Sequence, residues 1–301
     1  MAILHSAFVI LLTGATGTVG RAVLARLTAA DHQVRCLVRD PRKLGSERIS
    51  VQLVLGDLAH AGTFRNALRG VHTVIHLAAS IRDQPVGSLE EVNGLATARL
   101  IRAAELAGCE RFVFFSALGA SAQSRTRFMR SKALAAMAVE RSSMPTSVFW
   151  PSIIYAPGDP WLTLLARLSL LPAVPVAGAG HARFQPIWAG DVAACVLADL
   201  DRPGRQSHRT HVLAGPQVLY LRRDRRCRAG FVRVPPAPAP RAAPNGAHRT
   251  PRVGADGRSA CVRHMGGGGV DGGADGGRAG LRRRRGARRH PAADGCGARP
   301  T

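Results

Sequence analysis

Residues 11–24 read LLTGATGTVGRAVL, and the three glycines in this run decide the fold. Gly14, Gly17 and Gly20 stand three apart. An apolar strand-like run, AFVILLT at 7–13, leads in, and a run of helical periodicity, VGRAVLARLTAA at 19–30, leads out. Gly14 suits the tight turn, Gly17 leaves room for a phosphate where a side chain would collide, and Gly20 lets the helix lie close to the sheet. The freed backbone N–H groups and the helix N-terminus then face an anion. The loop is predicted to cradle the diphosphate of a dinucleotide with Gly14, Thr16, Gly17, Thr18, Val19 and Gly20. The alternative is a purely structural turn.

Outward from this loop, strand and helix patterns alternate to about residue 221. Further strands are read at 32–39, 51–57, 71–79, 111–117 and 146–150, and helices at 62–70, 90–108 and 127–142. The strands are near-continuous apolar runs, as expected where helices cover both faces of a sheet. The predicted fold is α/β: a Rossmann-type, doubly wound, mostly parallel sheet with a small, truncated or disrupted C-terminal substrate part.

The second strand ends in CLVRDPRKL, residues 36–44. Arg39 is placed at its tip, with Arg42 and Lys43 nearby. Arginine pairs with a 2′-phosphate through a charge-assisted fork, so NADP is favoured over NAD. Asp40, one place beyond, is the residue that speaks against this. Asp57 and Leu58 follow the third strand, where the carboxylate could accept from an adenine amine. Ala78 and Ala79 close the fourth strand, small enough for a ribose to lie against them.

The 301 residues carry a formal charge of +23, which by itself suggests nucleic acid or a membrane surface. Its distribution argues otherwise: residues 222–301 hold 19 Arg and 5 Asp with no Lys or Glu, a net +14, leaving +9 on the first 221. That last segment has 16 glycines, several prolines and no apolar periodicity, and cannot repay the entropy of ordering itself. It is expected to be a disordered tail. Around Tyr220 the sequence also reads as coding sequence out of frame: one base string gives Tyr-Leu-Arg-Arg-Asp-Arg here and Thr-Tyr-Asp-Glu-Ile in the neighbouring frame. Resequencing the gene across this point tests that, and a natural basic tail touching nucleic acid or anionic lipid is the alternative. The division expected is 1–221, a dinucleotide-binding domain with a partial substrate lobe from about 151, and 222–301, the tail.

No apolar run reaches the ~18 residues of a membrane span, and the apolar N-terminal run leads straight into the glycine loop, so it is read as a strand rather than a signal peptide. The six cysteines lack metal-ligand spacing. A reduced, cytoplasmic protein is expected, with a peripheral place at the inner face of a membrane, through a partner, left open.

TGATGTVG (13–20), CLVRDPRKL, GDL (56–58), HLAA (76–79), RFVFFSALGAS (111–121), RSKALAAMAVE (130–140), PSIIYAPGD (151–159) and FQPIWAGDVAACVLADL (184–200) together resemble the atypical extended short-chain dehydrogenases/reductases (the NAD-dependent epimerase/dehydratase type). Within them the chain is most similar to the branch of the NAD(P)-binding accessory subunit of respiratory complex I, near the NmrA-like proteins. The resemblance covers about residues 8–218. It implies a Tyr-x-x-x-Lys pair with a serine at the end of the fifth strand. Ser116 matches the serine and Lys132 the lysine, but Phe128 stands where the tyrosine belongs. Phenylalanine has no ionisable group and serves neither as acid nor as base. The resemblance also places Pro151, Ser152 and Ile153 along the nicotinamide carboxamide and gives Asp191 a structural role. Trp150 replaces the arginine common before this proline, which puts the outer ligand pocket in question.

These readings point to an NAD(P)-binding protein without tyrosine-dependent turnover, structural or sensing, with a small-molecule ligand and a protein partner in a respiratory or membrane-associated assembly as further expectations. An oxidoreductase or epimerase with another proton donor is the alternative. Nucleic-acid binding through the basic tail ranks last.

Overall fold

The computed structural model describes residues 8–85, 87–168, 170, 174–175, 183–202, 208–220, 231–232 and 263–264. In chain order the elements are β1 (Val9–Thr13), α1 (Thr18–Ala29), β2 (Gln33–Val38), β3 (Gln52–Leu55), α2 (Ala61–Phe64), β4 (Val71–His76), α3 (Ala96–Leu106), β5 (Arg111–Phe115), α4 (Arg127–Glu140), β6 (Thr146–Pro151), β7 (Ile154–Tyr155), α5 (Pro160–Leu168), β8 (Val174–Pro175), β9 (Arg183–Phe184), β10 (Ile187–Trp188), α6 (Ala189–Leu200), β11 (Arg209–Leu213), β12 (Leu219–Tyr220), β13 (Phe231–Val232) and β14 (Arg263–His264).

One sheet runs β14-β11-β6-β5-β4-β1-β2-β3. Its pairings are parallel except β14 on β11. The strand order reverses next to β1, so the connections leaving the carboxyl ends of β1 and β4 run to opposite sides of the sheet and leave a crevice there. Strand side chains alternate between two apolar layers. Ile10, Leu12, Val34, Cys36, Ile75, Val113 and Phe149 pack with Leu24 and Leu27 of α1 and Val192 and Val196 of α6. Leu11, Leu37, Val74, Phe112, Phe114 and Val148 pack with Leu100 and Ile101 of α3 and Ala135 and Val139 of α4. Each such fully buried leucine, valine or phenylalanine contributes about 1.5–3 kcal/mol relative to exposure. This is the doubly wound arrangement the continuous apolar strands predict.

Three local features differ from the sequence reading. The helix expected at 62–70 is split into α2 and a 3₁₀ segment, Arg65–Leu68. The helix expected from residue 90 begins with a π-turn, Glu90–Leu95, before α3. Strand β11, next to the edge, was not foreseen; its RTHVL has only two fully buried positions, His211 and Leu213. Of residues 222–301 only the short strands β13 and β14 are described, pairing with β8 and β11; the expected disordered tail otherwise lies outside the described residues. Contacts divide the chain into Met1–Met265 and Gly266–Thr301, and the described residues of the site all belong to the first.

Candidate dinucleotide site

The glycine loop is built as its spacing requires. Gly14 has φ +74°, and a Cβ on it would sit 2.5 Å from the Ala78 backbone N. A Cβ on Gly20 would fall 2.0 Å from the Gly14 carbonyl oxygen, so α1 lies against the loop only because Gly20 has none. Gly17 differs: its Cβ would meet only the Gly14 oxygen, at 3.4 Å. The space in front of it is open. Gly17 is also the N-cap of α1 and supplies no side-chain acceptor, which leaves the first-turn N–H groups for an anion. Arg21 fastens the loop from outside, donating to the Thr16 carbonyl at 3.3 Å and the Lys43 carbonyl at 2.7 Å.

Two compartments meet at this loop and share Gly14, Gly17, Leu77, Ala79 and Ile81. The smaller, about 420 Å³, is lined by Thr16, Arg39, Asp57, Leu58 and Ala78. Asp57 accepts from the Ala59 N–H at 3.0 Å, which fixes its carboxylate at the end of β3. Asp40 accepts from the Arg42 N–H and caps the 3₁₀ segment Pro41–Ile49. That segment carries Arg42 and Lys43 along the outside, and neither lines the compartment; of the three basic residues only Arg39 does.

The larger compartment, about 980 Å³, is lined by Gly14, Gly17, Thr18, Val19, Gly20, Ala79, Ser116, Phe128, Lys132, Pro151, Ser152 and Ile153 among others. Thr126 caps α4 by accepting from the Met129 N–H, and Phe128 and Lys132 follow one turn apart on the cavity face. Lys132 is only 4% exposed. Its ammonium lies 4.4 Å from the Phe114 ring centroid, a cation–π contact. Burial pulls its pKa down to about 7. Ser116, buried, donates weakly to the Lys132 carbonyl at 3.4 Å. Lys132 and Ser116 thus stand together on the wall of this compartment, beside Phe128, which has no ionisable group. A nicotinamide cofactor, when bound, would supply the hydride chemistry; the open face of Gly17, the small Ala78 and Ala79 and the continuous pair of compartments fit such a dinucleotide.

Sequence reasoning missed the polar network beneath the site. His76, at the end of β4, is buried between Thr13 Oγ1 at 2.7 Å and Thr97 Oγ1 at 2.9 Å. Burial first, and the Lys132 charge second, push its pKa down to about 3, so it is neutral. Asn93, in the π-turn, bonds Ser80 through its side chain on both sides and reaches Ser131 Oγ at 3.1 Å, tying the Ala79–Ser80 segment to α4. The signal was present: a histidine in VHTVIH and an asparagine in EEVNGL interrupt otherwise apolar positions. Also missed were Ile81, Leu118, Met129, Phe184, Gln185 and Val218, which wall the larger compartment. Trp150 does not line it; it packs against the α3–α4 layer, with its indole N–H buried and without a partner. Asp191 sits in the first turn of α6, where its charge favours the helix N-terminus.

A family model described as NAD(P)H-binding matches residues 14–146. The mitochondrial NADH dehydrogenase [ubiquinone] 1 alpha subcomplex subunit 9 of Arabidopsis thaliana is 29% identical over 222 residues, 68% of this chain and 53% of that protein. The ceramide reductase of Caulobacter vibrioides is 30% identical over 218 residues, 72% of this chain and 66% of the reductase. The chain thus spans about half the length of the Arabidopsis subunit. Among solved structures, MoeE5 in complex with UDP-glucose and NAD superposes with a TM-score of 0.59 at 21% identity, covering 70% of this chain and 78% of MoeE5. This structure and others of the same fold hold NAD, which overturns the preference for NADP expected from Arg39, Arg42 and Lys43. The physical reason is that the 3₁₀ segment separates these residues, so no cluster of cations faces the smaller compartment. Among the described residues, no helix is long and apolar enough to cross a membrane. Fold, glycine loop and relatives together make this chain an NAD(P)-binding protein of the atypical extended short-chain dehydrogenase/reductase type, related to the complex I accessory subunits.

Proposed function

We propose that the chain holds NAD across the two compartments and performs no tyrosine-dependent proton transfer, serving a structural or sensing role. The observation that carries this is Phe128, one turn before Lys132 on the cavity wall. Among the described lining residues of the larger compartment there is no Tyr, His, Asp or Glu. Arg39, Asp57 and Leu58 would receive the adenosine end, Gly14 to Gly20 the diphosphate, and Ser116, Lys132, Pro151, Ser152 and Ile153 the nicotinamide end. A structural role would take the form of attachment to a partner protein, as the name of the Arabidopsis subunit states for that protein, with the chain in the cytoplasm and peripheral to a membrane through that partner. Residues 222–301 take no part in the site under this reading. The test is paired: NADH titrates the protein, while a panel of aldehydes and ketones elicits no protein-dependent NADH oxidation.

One observation favours a second reading, a reductase or epimerase with a different proton donor. Lys132, with its pKa lowered to about 7 by burial, would exchange protons near neutral pH, the range in which a general acid is most effective. Turnover that titrates near pH 7 and vanishes in Lys132→Met would establish it.

A further inference from the structure

The larger compartment holds more space and more apolar wall than the nicotinamide end of a dinucleotide uses. At about 980 Å³ it stands at the upper end for a single small-ligand pocket. Its outer half, away from the smaller compartment, is lined by Leu118, Phe128, Met129, Phe184 and Val218. Two of these face solvent: Leu118 is 41% exposed and Val218 46%. Large apolar side chains left in water around one opening mark a binding surface.

Among the described residues the polar groups there are few and mostly taken. The Ser152 hydroxyl donates to the Gln185 carbonyl. The Gln185 side-chain amide donates to the Gly215 carbonyl at 2.6 Å. Arg183 has an interaction of its own. Ser116, 5% exposed, makes only the long contact with the Lys132 carbonyl, so its hydroxyl is spare for one oxygen. A sugar or diphosphate buried here would find few partners for its hydroxyls and charges among the described residues, which is unfavourable for each neutral group and more so for each charge.

We propose that this outer half takes a neutral, elongated apolar compound bearing one hydrogen-bonding oxygen, of the long-chain alcohol or aldehyde class, beside the dinucleotide. The proposal rests on the dinucleotide reading and names the second ligand of that site.

The experiment uses the full chain and two probes: NADH, followed by its own fluorescence, and Nile red, titrated with and without NADH and displaced by 1-decanol or by UDP-glucose. Decanol is expected to displace Nile red and UDP-glucose to leave it bound. Leu118→Glu and Val218→Glu, both at the exposed rim, are expected to weaken Nile red binding about tenfold or more by setting a carboxylate against the ligand. Retained NADH binding in these variants reports that they are folded. NADH binding with Nile red that decanol does not displace, or that both rim variants bind as the wild type does, overturns the apolar site. Displacement by UDP-glucose overturns it too. Decanol-displaceable, rim-dependent Nile red binding in a protein that ignores NADH supports the apolar site and sinks the dinucleotide reading instead.

Discussion

The Lys132 ammonium lies 4.4 Å from the centre of the Phe114 ring, and the His76 imidazole stacks on the same ring at 5.8 Å. A buried lysine is therefore held by an aromatic face and kept beside a histidine that cannot charge. An unfolded lysine binds its proton up to about pH 10.5, whereas folded Lys132 releases it near 7. Between those values the unfolded state binds the extra proton, so this residue makes stability rise with pH, by up to about 1.4 kcal/mol per pH unit. Below pH 7 its cost is present in full. Urea denaturation of wild type and Lys132→Met from pH 6.5 to 8.5 should show the rise in the former and its loss in the latter. The comparison is best kept below pH 9, because Cys36, pushed up to about 12 by burial, makes stability fall as an unfolded thiol ionises.

Gly14 and Gly17 should fail in different ways. Gly14→Ala sets a Cβ 2.5 Å from the Ala78 backbone at a left-handed φ and is expected to destabilise the fold by more than the roughly 1 kcal/mol of an unfavourable backbone alone. Gly17→Val projects into the open space of the cavity. It should leave thermal unfolding within a few degrees of wild type while abolishing NADH binding. Calorimetric melts beside fluorescence titration separate the two.

Phe128→Tyr restores the hydroxyl that the cavity wall lacks. Lys132, one turn away, favours the phenolate and lowers the tyrosine pKa. A positioned general acid is worth about 10²- to 10⁴-fold, so a small aldehyde should be reduced by the variant at a rate detectable over the wild type. The gain should vanish in Phe128→Tyr/Lys132→Ala. Robust wild-type reduction that survives Lys132→Ala contradicts both the disabled site and the role given to Lys132.

At the other end of the sheet, Asp199 joins Arg111 Nη2 at 2.6 Å, His211 Nε2 at 3.0 Å and Arg209 Nη1 at 3.4 Å. Burial alone would raise its carboxyl, but the His211 hydrogen bond and the Arg111 charge overcome this and hold it at about 2. Its contribution to stability is present above the ordinary carboxylate pKa and lost as pH falls through about 2. Asp199→Asn leaves Arg111 buried without its counter-charge and should cost about 3–5 kcal/mol in urea melts, with NADH affinity of the folded protein unchanged.

What could be read from the sequence follows from period and spacing. Continuous apolar strands and a glycine loop at the first crossover dictate a doubly wound sheet, and Ser116, Phe128 and Lys132 come together because they follow from strand ends and helix turns fixed by that sheet. Arg39, Arg42 and Lys43 misled because adjacency in sequence is not adjacency in space: Asp40 caps a 3₁₀ segment that turns two of the three away. β11 escaped notice because it lies near the sheet edge and hides a histidine rather than an aliphatic side chain. The burial of Lys132 escaped too, since a lysine on a helix reads as solvated until the strand beneath it, with Phe114, is known to face it.

Titration of the full-length protein with NADH, followed by fluorescence and calorimetry, tests the reading of this chain most directly. Saturable one-to-one binding is predicted for the wild type, abolished by Gly17→Val in a protein that melts like the wild type. Absence of binding by the wild type, or binding that Gly17→Val leaves intact, would contradict it.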